Sequence, residues 1–198
     1  MYEKKINLVL LAIFIIWSSS LFITPKLLPP GTVVGLDGHS TIIEYMDKWE
    51  KMPWYPRAVY LLGDFLCHQR KDRSFILNDN QMPVCARCTA IYIGFALAFF
   101  YTLFIPNKIS HKEYLLYTLP EDWRKKTKKS FNLELLTMII IGLFLLPVAV
   151  DGGIQLITAY ESNNILRIIT GLPVGWLGGI LLGALVNTWG LKISGSSI

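Results

Sequence analysis

Four long apolar segments constrain this chain more than any other feature, because about 20 consecutive apolar residues suffice to span a bilayer. The segments are residues 7–23, 89–105, 133–150 and 168–189. Charged residues make up 17% of the sequence, against about 25% in a typical soluble domain. The sequence therefore predicts an all-α integral membrane protein with four transmembrane helices, in a single membrane domain over residues 1–198.

The basic residues predict how these helices are oriented. The connection 106–132 holds seven Lys or Arg against three acidic residues, and short basic loops stay in the cytoplasm. By alternation, three further lysines fall on the same side: Lys4, Lys5 and Lys192. We therefore expect a multi-pass protein of the cell membrane with both termini cytoplasmic and with residues 25–88 and 151–167 outside.

The long outer segment, residues 25–88, is expected to contain one or two interfacial helices. Residues 41–52, TIIEYMDKWEKM, place their apolar side chains on one helical stripe and predict a helix on the membrane surface or against the spans. Pro53 and Pro56 then interrupt the chain. Residues 57–70 form a second apolar run that is too short to cross.

A Cys-x-x-Cys pair stands directly before the second span. Cys85 and Cys88 have the spacing of half a tetrahedral zinc site, and Cys67 with His68 supplies further ligands on the same side. We therefore predict a metal site, with zinc as the cofactor, formed by Cys67, His68, Cys85 and Cys88. His39 is an alternative fourth ligand, and Asp64 lies one helical turn before His68, where it would orient the ring.

Two other interpretations of the thiols stay open. A dithiol at a helix start beside Arg87 has a lowered thiol pKa, as in quinone-coupled disulfide-forming proteins, but those generally have a second cysteine pair and this chain has three cysteines. Quinone is a cofactor only under this redox interpretation. The third interpretation is a structural disulfide between two of the cysteines, with the last thiol buried.

A second polar cluster lies at the outer ends of spans three and four. Asp151 with Gln155, and Asn163 with Arg167, are each four residues apart, and ionisable groups at this depth are costly unless they are paired. One interpretation is an Asp151–Arg167 pair that locks the two spans together. The other is a substrate or headgroup site, with Asp151, Gln155 and Arg167 as catalytic candidates. The predicted binding residues are Arg73, Arg87, Asn163, Asn164 and Arg167.

The fourth span carries glycines at every fourth position. They are Gly171, Gly175, Gly179 and Gly183. Small residues on one stripe let another helix approach closely. The stripe predicts packing within the bundle, or alternatively a homodimer or larger membrane complex.

Four blocks of the sequence together resemble a prokaryotic family of small polytopic membrane proteins classed as a domain of unknown function. The blocks are CHQRKDRSF (67–75), PVCARCTAIYIG (83–94), DGGIQ (151–155) and NNILRIITG (163–171). The family pattern is similar: Cys-His-Gln, Cys-x-Arg-Cys-Thr-Gly-x-Tyr, Asp-Gly-x-x-Gln and Arg-x-x-Thr-Gly. Ala90 stands where that pattern has glycine. The resemblance supports the site residues and implies no established activity.

Three functions are compatible with these features. The first is a membrane-embedded enzyme that acts on a lipid or amphipathic substrate at an outer-face zinc site. The second is a thiol–disulfide protein linked to quinone. The third is an accessory or scaffolding subunit of a larger membrane complex. The expected partner in each case is the lipid bilayer, and no feature indicates nucleic-acid binding.

Overall fold

The computed structural model of the chain describes residues 2–107, 109–130 and 132–193. The side chain of Lys192, which the orientation prediction uses, lies outside the described part. The helices are α1 (Tyr2–Leu27), α2 (Met46–Trp49), α3 (Trp54–Leu66), α4 (Ala86–Thr102), α5 (His111–Leu116), α6 (Glu121–Ser130), α7 (Leu133–Ile157) and α8 (Asn164–Ile193). A 3₁₀ turn over Lys71–Arg73 precedes an antiparallel hairpin of β1 (Ile76–Leu77) and β2 (Asn80–Gln81).

Three of the four predicted spans have the length and composition to cross a membrane. They are the apolar parts of α1, α7 and α8, each of at least 25 residues. The second predicted span forms α4, which is apolar but has 17 residues, so a fourth span is not confirmed. Because α7 and α8 extend beyond their predicted bounds, Asp151 and Arg167 lie inside helices, and the connection between them is residues 158–163 alone.

Helix α4 is packed between α1 and α8. On one side, Phe14 of α1 stacks on Phe95 with ring centroids 4.7 Å apart, and Trp17 meets Tyr92 edge-on at 5.7 Å. On the other side, a Cβ added to Gly175 of α8 would lie 2.0 Å from the carbonyl oxygen of Ile91. Such close backbone contact requires glycine.

The glycine stripe of α8 is therefore an interface within the chain. Added Cβ atoms at Gly171, Gly179 and Gly183 would also meet α4, at Arg87, Ala98 and Thr102 respectively. The prediction of packing within the bundle agrees with these contacts. Within the described chain α4 covers the stripe, and a homodimer or larger complex stays a prediction.

Residues 25–88, which we call the outer region after the side predicted for them, have a small core of their own, formed by Trp49, Tyr60 and neighbouring apolar side chains. Trp49 stacks on Tyr60 with ring centroids 5.1 Å apart, and both side chains are fully buried. The helix predicted over residues 41–52 forms only over Met46–Trp49. A hydrogen bond from outside that segment replaces a helical one: the Tyr45 N–H, which a helix would pair with the carbonyl of Thr41, donates to the carboxylate of Asp64.

The second predicted outer helix is α3, which starts at Trp54, directly after Pro53. It ends at Leu66, so that Cys67 has an extended backbone and begins a polar turn. This turn and the hairpin carry the chain back to α4. The outer region thus brings its two cysteine-bearing segments to the end of the bundle where α4 and α8 begin.

Candidate functional site

The three cysteines converge at the start of α4. Cys67 follows α3, Cys85 is the residue before the first turn of α4, and Cys88 lies within that turn. Their three sulfur atoms lie within 4.8 Å of one another. Cys67 and Cys85 are buried and Cys88 is half-buried. We call these residues the thiol triad.

The three thiols are close enough to one another to exchange hydrogen bonds. The backbone N–H of Cys85 donates to the Sγ of Cys67 at 3.2 Å. Hydrogen bonds from the Cys67 and Cys88 thiols hold the pKa of the Cys85 thiol well below its usual range. The hydrogen bond to Cys85, together with burial, raises the pKa of Cys67 to about 12.

A network of buried amides holds the Cys67 turn against the strand that leads to Cys85. Gln69 has a φ of 47°, a left-handed conformation that is uncommon for a residue with a side chain. Its buried side-chain amide donates to the carbonyl of Pro83 at 2.7 Å. Gln81 in turn donates to the carbonyl of Gln69 and accepts from the N–H of Leu36.

Asn80 anchors the hairpin to the end of α1. Its side-chain nitrogen donates to the carbonyls of Pro25 and Pro29, both at 3.0 Å, and its oxygen accepts from the N–H of Val33. The bond to Pro25 satisfies a carbonyl in the last turn of α1, which a helix leaves without an internal partner. The thiol triad is thus held on both sides by side-chain-to-backbone hydrogen bonds.

The structure does not bring a histidine into the thiol triad. The Nδ1 atom of His68 accepts a hydrogen bond from the backbone N–H of Arg70 at 3.1 Å. Among the described residues, the cluster of candidate ligand atoms contains the three sulfurs and no atom of this ring. His39 is exposed and its Nδ1 pairs with Glu44 at 2.8 Å.

Asp64 also has partners other than the one predicted for it. Its Oδ2 accepts from the N–H groups of Glu44 and Tyr45 and from the indole N–H of Trp49. The carboxylate thus fixes the segment that begins α2, and it does not orient His68.

A cavity of about 200 Å³ adjoins the thiol triad. We call it the arginine cavity, because three arginines line it. Its lining residues are His68, Arg73, Cys85, Arg87, Cys88 and Arg167. Arg73 also pairs with Glu161 at 3.2 Å, near the surface.

A relay of side chains, the polar bridge, joins α4, α7 and α8 beside this cavity. Arg87 pairs with Asp151, Gln155 donates to Asp151 at 3.1 Å, and Arg167 donates to Gln155 at 3.4 Å. The expected locking of α7 to α8 therefore runs through Gln155, and the direct partner of Asp151 is Arg87. Asp151 and Arg167 are 5% and 2% exposed.

The two predicted asparagines have other contacts. The Oδ1 of Asn163 accepts from the N–H of Leu166 at 2.8 Å, as a cap at the start of α8. Asn164 donates to the carbonyl of Ser74 at 3.3 Å. Neither residue lines the arginine cavity.

Sequence reasoning missed the positioning roles of Gln69, Asn80 and Gln81. All three are fully buried, yet the sequence places them in short polar stretches that resemble exposed turns. The sequence feature that could have indicated these roles is a polar stretch between two cysteine-bearing segments. Such a stretch is equally compatible with a solvated turn and with a buried hydrogen-bond network.

Comparisons with known proteins place these features in a family. A family model described as a predicted membrane protein, DUF2085, matches residues 67–181, which include the thiol triad and the polar bridge. An uncharacterised protein of Methanothermobacter thermautotrophicus is 34% identical over 111 residues, covering 56% of this chain and 78% of that protein. An uncharacterised protein of Methanocaldococcus jannaschii is 32% identical over 173 residues, or 87% of each chain. No solved structure shows significant similarity to the chain.

Proposed function

The chain belongs to the DUF2085 family of predicted membrane proteins, and we propose that it is a membrane-embedded enzyme with an outer-face zinc site. Its substrate is a lipid or another amphipathic molecule whose polar group enters the arginine cavity. The observation that carries the proposal is the position of the thiol triad, two of whose members, Cys85 and Cys88, line a cavity together with three arginines.

The proposal includes four spans. At a rise of about 1.5 Å per residue, the 17 residues of α4 reach about 25 Å, and about 17 residues is the lower limit for a spanning helix. The packing of α4 between α1 and α8 supports its insertion alongside them. With four spans, the basic residues of 106–132 and both termini are cytoplasmic, and the thiol triad is outside.

The thiol triad suits zinc by its geometry. Two sulfurs bound to one tetrahedral zinc at about 2.3 Å lie roughly 3.8 Å apart, and the three sulfurs here are within 4.8 Å of one another. The N-terminus of α4 and the N–H bond to Cys67 favour thiolates. We also propose that the cysteine, arginine and aspartate pattern of the family marks this site in its members.

Three protein ligands leave one coordination position for water or substrate. A zinc ion in such a site activates water or polarises a substrate oxygen. Arg167 and Arg87 bind the polar group of the substrate, while Asp151 and Gln155 orient the two guanidinium groups. His68 donates to the Cys85 thiolate and completes the hydrogen bonding of the site.

A thiol–disulfide function is the second candidate, and the lowered pKa of Cys85 favours it. A thiolate at a helix N-terminus attacks disulfides readily. This function requires reversible oxidation of two of the three cysteines and an electron acceptor such as a quinone. It makes no use of the third converging thiol, which the zinc site does use.

The test is zinc content and free thiols measured on one sample of protein purified without chelator. We expect about one zinc per chain in the native protein and in His39→Ala and His68→Ala, and loss of zinc in Cys85→Ser. A metal-free native protein with a Cys85–Cys88 disulfide that reduces and re-forms would replace the zinc proposal by the redox one. Zinc loss in His68→Ala would make His68 the fourth ligand and the site structural.

A further inference from the structure

An apolar groove between α7 and α8 ends beside the arginine cavity. Its volume is about 760 Å³. One wall is a stripe of α7 residues spaced three or four apart, which puts them on one helix face: Leu143, Leu146, Val150 and Ile154. Leu166 and Ile169 of α8 form the facing wall. Only 6% of the most apolar stretch of α7 is buried against the rest of the described chain. Most of this helix surface, and the groove with it, is therefore open to the bilayer.

The groove has the depth of one leaflet. From Leu143 to Ile154 the helix rises about 17 Å at 1.5 Å per residue, and half of a hydrocarbon core of about 30 Å is roughly 15 Å. Its Ile154 end lies at the end of the bundle that carries the thiol triad. Under the proposed orientation, this end faces the outer headgroup region.

Asp151 connects the groove to the cavity. It lines the groove and pairs with Arg87, which lines the cavity. Gln155, one turn further along α7, is the acceptor for Arg167. A molecule lying in the groove would therefore have its polar end next to these two arginines.

Arg167 is a buried cation without a carboxylate partner in the described part of the chain. It is 2% exposed, and its Nη1 atom has no hydrogen-bond partner among the described residues. The acidic groups nearby serve other cations: Asp151 pairs with Arg87, and Asp72 and Glu161 pair with Arg73. A buried guanidinium is stable when an anion shares its site, and its fork of donors matches a phosphate group.

The arginine cavity and the groove differ in volume, and each suits a different part of one ligand. The arginine cavity, at about 200 Å³, is below the range of about 300–1,000 Å³ that holds whole drug-sized ligands. It suits a headgroup alone, whereas the groove suits an apolar chain. We propose that the ligand is a phosphate-bearing lipid of the outer leaflet, with its phosphate in the arginine cavity and one acyl chain in the groove. This inference rests on the proposed function for the side of the membrane and for the lipid class of ligand.

The test compares lipids retained by the detergent-purified full chain, counted by native mass spectrometry with zinc measured on the same samples. The probes are phosphatidic acid, phosphatidylcholine and inorganic phosphate. Arg167→Gln removes the cation, and Leu146→Trp fills the groove without touching the cavity. Leu156→Trp is the matched control, because Leu156 is on α7, 88% exposed and outside the groove lining.

We expect phosphatidic acid to bind at least about tenfold more tightly than phosphatidylcholine, since its monoester phosphate has one more free oxygen to accept a charge-assisted hydrogen bond, which contributes that much. Arg167→Gln and Leu146→Trp should each weaken it by about tenfold or more, while Leu156→Trp leaves it unchanged. Equal binding of all variants would mean annular lipid and would overturn the inference. Binding of inorganic phosphate without any binding of phosphatidic acid would reduce the site to a free-anion site. If zinc-free protein still binds phosphatidic acid with the expected effects of the variants, the zinc proposal is wrong and the lipid-binding inference is supported.

Discussion

Residue by residue, the outer region is held together by buried polar side chains acting on the backbone. Gln69, Asn80, Gln81 and Asp64 are all fully buried, and each bonds to backbone groups distant in sequence. Such groups are costly to leave unpaired. They therefore specify one arrangement of the loops and, with it, one arrangement of the thiol triad.

At Gln69 we expect glycine to be a less destabilising substitution than alanine, which is the reverse of their usual order. Gln69→Ala and Gln69→Gly both leave the Pro83 carbonyl without its donor, but glycine adopts a φ of 47° without steric cost. We expect Gln69→Gly to be the more stable of the two by about 1 kcal/mol. The measurement is the thermal midpoint of each detergent-solubilised variant. An alanine variant at least as stable as the glycine variant would show that the backbone at this position relaxes.

At the scale of the elements, the contact between α4 and α8 determines how tightly the bundle packs. We expect Gly175→Ala to lose about 3 kcal/mol or more, because the new methyl group would overlap the Ile91 carbonyl. Gly142→Ala in α7 is the matched control, since a Cβ there meets nothing within 4 Å. It should be neutral or gain about 0.5–1 kcal/mol from reduced backbone entropy. Comparable losses in both variants would contradict this packing.

The ion pair of Arg87 and Asp151 attaches α7, the least buried span, to α4. Asp151→Asn should cost about 2 kcal/mol, because it leaves a partly buried guanidinium without its counter-charge. The charge-swapped double variant, Arg87→Asp with Asp151→Arg, should recover part of that loss. Unfolding midpoints of the native protein, of Arg87→Asp, of Asp151→Arg and of the double variant form the cycle that measures the coupling. Additive losses would mean that the pair contributes nothing to the attachment.

On the scale of the whole molecule, the number of spans decides on which side the thiol triad lies. With α4 inserted, a reporter placed after Lys126 is cytoplasmic and one placed after Ser40 is outside. If α4 did not cross, residue 126 would be on the same side as residue 40. We expect a reporter that is active only outside the cytoplasm to be active at position 40 and inactive at position 126. Reporter activity at both positions would mean that α4 does not cross the membrane and that the protein has three spans.

The sequence predicted the features that depend on local composition. The positions of the apolar helices followed from the lengths of the apolar runs, and the cysteines that form the thiol triad followed from their number and spacing. The helix over residues 41–52 was predicted too long, because hydrogen bonds to Asp64 and Phe65 outweigh its periodicity. The partner of Asp151 was also not the predicted one, since several basic residues were available to it.

What the sequence determined by itself is that the chain is helical and belongs in a membrane, since a spanning segment must be apolar along its length and must satisfy its own backbone hydrogen bonds. Both properties can be evaluated from consecutive residues. Only the tertiary structure decided that Cys67 meets Cys85, that Arg87 rather than Arg167 pairs with Asp151, and that α4 covers the glycine stripe. These contacts join residues far apart in the chain, and they depend on how each helix is rotated and how closely it packs, which no local pattern specifies.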